Sequence, residues 1–275
     1  MSTRTALSTL LLLVAARALA AQEDPNEWLA QCRHGWYDRA RVCVVRETGF
    51  RPSGGTLRVD PSENGGVAIY GWDRDSIAVV AKIEAQAGTE GAAQALADAV
   101  RIEAAGKEIA ARGPESERRA SWAVSFDVYV PRHTDLSLST ENGPLSVEDV
   151  TGAMQLHAIN GPVTLRAVGG DVTARVQNGP LSVELSGARW DGPGLDAEAQ
   201  NGPASLGIPD GYNARLETGT VNGPMNLAFP LTVTIQGRMT NRIHTTLGDG
   251  GPPIRVVTTN GPMSIHHSRS EPAVE

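Results

Sequence analysis

Three carboxylates in this chain, Asp196, Glu198 and Glu217, have the type and spacing to do acid–base chemistry if neighbouring strands bring them together. Paired acids on one outer face are what cleavage of a sugar chain requires, one giving a proton and the other activating water or attacking carbon. That would make the chain a carbohydrate-active β-helix enzyme, a polysaccharide lyase or hydrolase. The plainer reading is solvated surface charge. His157 and Arg175 occupy equivalent repeat positions, but no carboxylate orients the imidazole and no nucleophile stands beside it, so no triad follows. His266-His267 would serve a metal only if both rings converged. Consecutive strand residues point to opposite faces, which suits a frayed end. Cys32, His34 and Cys43 lack the fourth ligand and the spacing of a zinc motif. Asp249 lies in a Gly-rich loop without the repeated acidic spacing of calcium-binding rolls, and no phosphate-binding Gly motif opens a helix. The residues therefore imply no catalytic group, no cofactor and no metal. Trp190 remains as a ring that could stack on a sugar or a partner, though folding back as a plug over its own corner is the preferred reading.

What positions these side chains is a repeat. Asn-Gly-Pro recurs at Asn142, Asn160, Asn178, Asn201, Asn222 and Asn260, in steps of 18, 18, 23, 21 and 38 residues, with Asn241 at the midpoint of the last. A period near 20 signals a repeat architecture. Six residues before each Asn stand Leu136, Met154, Val172, Leu195, Leu216 and Ile254, and five after stand Val147, Leu165, Val183, Leu206, Leu227 and Ile265. Apolar and polar residues alternate strictly on both sides of the triplet, which predicts two short strands with one buried face each. The triplet is the corner between them. Asn tolerates a left-handed backbone, Gly removes the Cβ and Pro fixes φ. One coil cannot bury its own inner face, so coils must stack. The expected fold is all-β: a single-stranded, right-handed β-helix or β-solenoid with coils of about 18–21 residues. An internal or corner ladder of Asn side chains, each bonded to the backbone of the next coil, follows from the persistence of Asn even at Asn241.

The chain before the repeats supplies address and ends. Arg4, an apolar run over Leu10–Ala16 and Ala18-Leu19-Ala20 make residues 1–20 a cleaved signal peptide, too short in its apolar run to span a bilayer. Its removal takes away Arg4 and Arg17, leaving 22 basic and 31 acidic residues, a net charge of −9. That charge disfavours nucleic acid and anionic membranes. No later stretch is apolar for long enough to cross a membrane. Residues 21–55 form an N-terminal segment in which Cys32 and Cys43, the only cysteines, are expected to be joined, as an even pair in an exported protein usually is. Residues 56–267 are the solenoid and 268–275 a disordered tail. Within 56–131, Thr56–Ile83 reads as an irregular first coil with turns at Asn64-Gly65-Gly66 and Asp73-Arg74. Gly91–Val100 reads as a short capping helix with Thr89 at its start and Ala92, Leu96 and Val100 on one face. Arg101–Arg112 reads as a hairpin about Gly106-Lys107. The bulky strand Trp122–Val130 is the expected floor for the coils.

Four stretches carry a resemblance. They are Trp190-Asp191-Gly192 leading to Leu195 and Asn201-Gly202-Pro203; Ile208-Pro209 leading to Tyr212, Ala214 and Leu216; Gly248-Asp249-Gly250-Gly251-Pro252; and Thr259-Asn260-Gly261-Pro262-Met263-Ser264-Ile265. Across about Leu57–His266 the chain resembles the bacterial putative-adhesin family of β-strand-repeat domains of unknown function, relatives of auto-transporter adhesin head domains. The resemblance implies a single-stranded β-helix and no catalytic residues. The expectation is an exported, non-enzymatic, adhesin-like binding or structural protein of the secreted, periplasmic or cell-envelope space. Its partner would be an envelope or surface component, protein or glycan, met along an outer face that includes Trp190, Asp196, Glu198 and Glu217.

Overall fold

The structure is a computed structural model and describes residues 25–33, 39–117, 119–228 and 241–268. Residues 1–20, expected to be a signal peptide, His34 and most of the expected tail lie outside those residues. The described chain begins with a helix that no sequence pattern announced, α1 (Pro25–Arg33); proline suits a first turn, where its missing N–H goes unused. Then come β1 (Ala40–Phe50), β2 (Leu57–Asp60), β3 (Val67–Trp72) and β4 (Ile77–Ala87). Helix α2 (Glu90–Ala99) is capped by Thr89, whose hydroxyl accepts from the Ala92 N–H. Its buried face is Ala93, Ala97 and Val100, with Leu96 packed at the margin of the core; of the expected Ala92, Leu96 and Val100, Ala92 alone lies off it. Ala92 sits in the capped first turn and faces water. Two small residues let the helix lie close on β1 and β4. Arg46 of β1 donates to the carbonyls of Ala97 and Val100, which the helix end leaves without partners of its own. β5 (Arg101–Ala105) and β6 (Glu108–Arg112) form an antiparallel hairpin. β7 (Ser121–Pro131) buries Trp122, Val124, Phe126, Val128 and Val130.

The repeats supply paired strands on either side of each corner. These are β8 (Leu136–Asn142) and β9 (Leu145–Glu148), β10 (Thr151–Asn160) and β11 (Val163–Arg166), β12 (Gly169–Asn178) and β13 (Leu181–Glu184), and β14 (Gly194–Asn201) and β15 (Ala204–Ile208). After them come β16 (Ala214–Asn222), β17 (Met225–Ala228), β18 (Arg242–Leu247), β19 (Pro253–Asn260) and β20 (Met263–His267). The fold is all-β with two large sheets. Among the described residues the first runs β1-β4-β7-β3-β9-β11-β13-β15-β20-β17 and the second β18-β16-β19-β14-β12-β10-β8-β2-β6-β5. Repeat pairs with repeat in parallel and in register, Asn142 beside Asn160, Asn160 beside Asn178 and Asn178 beside Asn201. Between the sheets lies one core in which Met154, Ala158, Val163 and Leu165 are fully buried, as are their equivalents along the stack up to the edge strand β17, where Met225 is half-buried and Leu227 exposed.

The corner works differently from the expectation. No repeat Asn adopts a positive φ; each ends its strand in ordinary extended backbone. Glycine is needed because successive corners touch: a Cβ on Gly161 would lie inside the carbonyl oxygen of Gly143, and one on Gly179 inside that of Gly161. Ladder bonding continues through the corner around the proline, with Gly161 N–H donating to Asn178 O (3.0 Å) and Val163 N–H to Pro180 O (2.9 Å).

Spatial order departs from sequence order at both ends. β3, not β7, lies beside the first regular repeat strand, because β7 pairs with β3 on one side and antiparallel β4 on the other. At the far end the last repeat does not stack last. β19 lies between β14 and β16, and β20 between β15 and β17. Asn241 is therefore not the intermediate rung expected from the 38-residue step. It precedes β18, which runs antiparallel to β16, and its side chain donates to Gly223 O (3.0 Å). Ser268, assigned to the tail by sequence, is bonded to Ile208 O and Leu185 O; residues 269–275 lie outside the described set.

Candidate functional site: asparagine row and outer sheet faces

Because every repeat ends its first strand on Asn, the side chains line up at the corner. They bond to one another rather than to backbone: Asn160 Nδ2 donates to Asn142 Oδ1 (3.0 Å), Asn178 to Asn160 (3.0 Å), Asn201 to Asn178 (3.0 Å), Asn260 to Asn201 (2.9 Å) and Asn222 to Asn260 (2.9 Å). Asn64 is a further rung, accepting from Asn142 at 3.4 Å, although its Asn-Gly-Gly context reads as a plain turn. The six repeat amides are exposed. The row is thus an exposed ladder of carboxamides, with the backbone bond of Asn142 Nδ2 to Glu63 O as an addition at one end.

The outer face of the second sheet carries the candidate acids. Parallel register aligns Thr173, Asp196, Arg255 and Glu217 in one row and Arg175 and Glu198 in the next. The insertion of β19 places Arg255 between Asp196 and Glu217, which sequence order would have made neighbours. Arg255 bonds to Asp196 (2.7 Å), Glu198 (3.1 Å) and Glu217 (3.5 Å), and Arg175 pairs with Asp196 from the other side. Three carboxylates and two arginines form a network, not an acidic patch. Burial pushes the Asp196 carboxyl up, but hydrogen bonds and charge from Arg175 and Arg255 outweigh it and hold the group below the ordinary carboxylate range. A general acid must carry its proton near neutral pH; Asp196 is tuned the opposite way. Burial likewise lowers the Arg255 guanidinium, and its bonds to Asp196 and Glu198 more than reverse this, leaving it raised. His157 stands in register with Arg175 and Ser139.

Trp190 is removed from the contact surface. It is 3 % exposed, and its indole N–H donates to Gly170 O (2.9 Å), so the ring closes a corner. The His pair is also relocated. Both residues belong to β20, inside the first sheet rather than at a frayed end. His266 Nε2 lies 2.9 Å from Glu184 Oε1 and His267 Nδ1 3.1 Å from Asp210 Oδ1. Glu184 crosses β15 over Gly207, where any Cβ would meet its carboxylate. Sequence reasoning missed that pairing because the partners are 82 residues apart and meet only through the inserted strand. It also missed an aromatic row at the other end of the same sheet. Tyr70 and Tyr129 stack at 5.5 Å, Trp72 lies 5.4 Å from Tyr129, and Arg74 sits 4.8 Å over Trp72. Burial, with Asp127 nearby, drives the Tyr129 hydroxyl well above its usual range. The direct register of Tyr70 and Tyr129 was the signal, visible once β3 and β7 are known to pair.

No family model matches the sequence, and no curated protein matches it. Among solved structures the chain is similar to a putative cell adhesion protein from Clostridium sporogenes, at 11% identity and TM-score 0.37, over 82% of this chain and 100% of that one. It is similar also to a putative adhesin from Bacteroides fragilis, at 10% identity and TM-score 0.30, over 82% and 97%. A putative lipid binding protein from Parabacteroides distasonis aligns at 8% identity and TM-score 0.27, over 80% and 96%. These likenesses are too distant to transfer a role.

At the N-terminal end Cys32 and Cys43 form a disulfide, with Cα atoms 6.3 Å apart, that ties α1 to β1. Among the described residues, no group of three or more His, Cys, Asp and Glu is placed to hold a metal ion, and no helix is long and apolar enough to cross a membrane.

Proposed function

We propose that this chain is an exported, non-enzymatic protein of the bacterial cell envelope, adhesin-like, which binds or braces an envelope component along its outer surface. Its architecture in this reading is a single-stranded, right-handed β-helix. Residues 1–20 are a cleaved leader, 21–55 an N-terminal segment and 56–267 the solenoid. The observation that carries the proposal is the filled interior: inward positions of the stacked repeats hold buried apolar or small side chains in a core continuous from Leu57 to Ile265, and the stack opens at the edge strand β17, where Met225 is half-buried and Leu227 exposed. Ligand sites in such a body must lie outside it. The in-register parallel pairing of equivalent strands on both sides of each corner supports the coil reading. The Cys32–Cys43 bond supports an oxidising compartment.

The enzyme alternative loses its best acids to Arg175 and Arg255. A decisive experiment uses the mature protein twice. Envelope extracts passed over it should leave a specific retained component, while incubation with pectins, other uronates, glucans and peptidoglycan should release no product. Turnover that survives purification and disappears with Asp196→Ala, Glu198→Ala or Glu217→Ala would overturn the proposal.

A further inference from the structure

One concave site on this molecule keeps charged groups unpaired. β8 runs on to Asn142, whereas β2 parts from it after Val59, which pairs with Leu138. The chain bulges through Pro61-Ser62-Glu63, with Ser62 at φ 70°, and returns to the ladder at Asn64 beside Asn142. On one side of the bulge lies a cleft of ≈ 410 Å³ floored by Arg58, Ser137, Ser139 and Glu141. On the other a smaller hollow of ≈ 200 Å³ reaches Trp122. Ser62 and Glu63 line both. The larger cleft falls in the size range of small-ligand sites, about 300–1,000 Å³.

Its polar groups define what fits. Asp60 is committed to Arg112 at 2.9 Å. Arg58, Glu63 and Glu141 are exposed and, among the described residues, form no ion pair. This contrasts with the second-sheet face further along, where carboxylates and arginines are joined. Ser137, Ser139 and Glu141 alternate along one face of β8, roughly 6.8 Å apart. Five donors on one guanidinium, two carboxylates and the serine hydroxyls, which both give and accept, favour a ligand that donates and accepts at several points. An anion would meet Glu63 and Glu141; a cation would meet Arg58. An uncharged polyol meets neither conflict.

The geometry points to a binding site for a neutral, hydroxyl-rich saccharide, one or two rings of a longer glycan, astride the Pro61–Glu63 bulge. This deepens the binding role proposed above and rests on it. Its failure is separable, because a cleft that takes no sugar leaves retention of envelope components untouched. The test titrates the mature chain by calorimetry with cellotetraose, maltotetraose and chitotetraose, and with spermidine and tetragalacturonate as charged probes. At least one neutral tetrasaccharide should bind saturably, with Kd between about 10 μM and 1 mM. The double variant Arg58→Ala/Glu141→Gln should weaken it by about tenfold or more while retaining the parent melting temperature. Glu63→Gln alone gives the same reading should the double variant fold poorly. The inference is overturned if no neutral tetrasaccharide binds below about 10 mM, if either charged probe binds more tightly, or if the folded variants bind as the parent does.

Discussion

Replacing Gly179 by alanine separates two accounts of what holds the corners together, the amide row or the close approach of the backbone. A methyl group at Gly179 would lie 2.2 Å from the Gly161 carbonyl oxygen and 2.6 Å from its carbon. Backbone cannot swing away as a flexible side chain can, so neighbouring corners must part. Parting them loosens the bonds from Gly179 N–H to Asn201 O (2.9 Å) and from Gly161 N–H to Asn178 O (3.0 Å), each worth about 1 kcal/mol net. The overpacking itself costs about 1–3 kcal/mol. The sum is about 3–5 kcal/mol, or roughly 10 °C in Tm for a chain of this size. Asn178→Ala removes the side-chain bonds to Asn160 and Asn201 at an exposed site where water replaces them, so about 1–2 kcal/mol is expected. Gly91→Ala in α2, where a Cβ meets nothing within 4 Å, should be neutral or slightly stabilising. Thermal melts and urea midpoints of the oxidised mature protein measure all three. Gly179→Ala melting within about 2 °C of the parent, or below Asn178→Ala in cost, would refute the close-approach account.

Two further outcomes follow from the ends and the outer face. Cys32 and Cys43 should resist alkylation without reductant, and the double Ser variant should lose about 3 kcal/mol; two labelled thiols in exported protein would contradict the bond. Because Asp196 is held below its ordinary range, its ionised form is favoured by folding. The resulting stability is complete above the unfolded value near pH 4 and is lost as pH falls through the lower folded value. Asp196→Asn should therefore lower urea midpoints at pH 7 and flatten their fall below about pH 4. Parallel curves for parent and variant would refute the coupling.

Much of the fold was legible because period-two alternation encodes the inward face directly. Met154, Leu156 and Ala158, or Val163 and Leu165, face one core in the structure for the reason the pattern gives. Thr89 was legible as a helix cap because its hydroxyl has a local task. α1 was not, since nine residues with two half-buried apolar positions, Trp28 and Leu29, carry little periodic signal; a disulfide and packing on β1 hold it there. The helix face in α2 was misread at Ala92 for a related reason. Alanines at 93 and 97 bury little area, yet they allow the closest approach.

Strand order is where sequence gives least, and it decides the chemistry of the outer face. Every repeat offers the same edge: an Asn amide, a Gly that tolerates contact and extended backbone in one register. Any two copies can therefore be neighbours as far as pairing is concerned, and local propensity does not distinguish sequential stacking from insertion of β19 and β20. Side chains break the degeneracy. With β19 beside β14, Arg255 falls against Asp196 and Glu198, and with β16 on its other side it reaches Glu217. Sequential order would bring Asp196 and Glu217 together as like charges, which is unfavourable on paired strands. With β20 beside β15, His266 meets Glu184 through the gap above Gly207. The same placement that selects the order of the strands thus ties the three carboxylates to Arg175 and Arg255 and removes them from acid–base work.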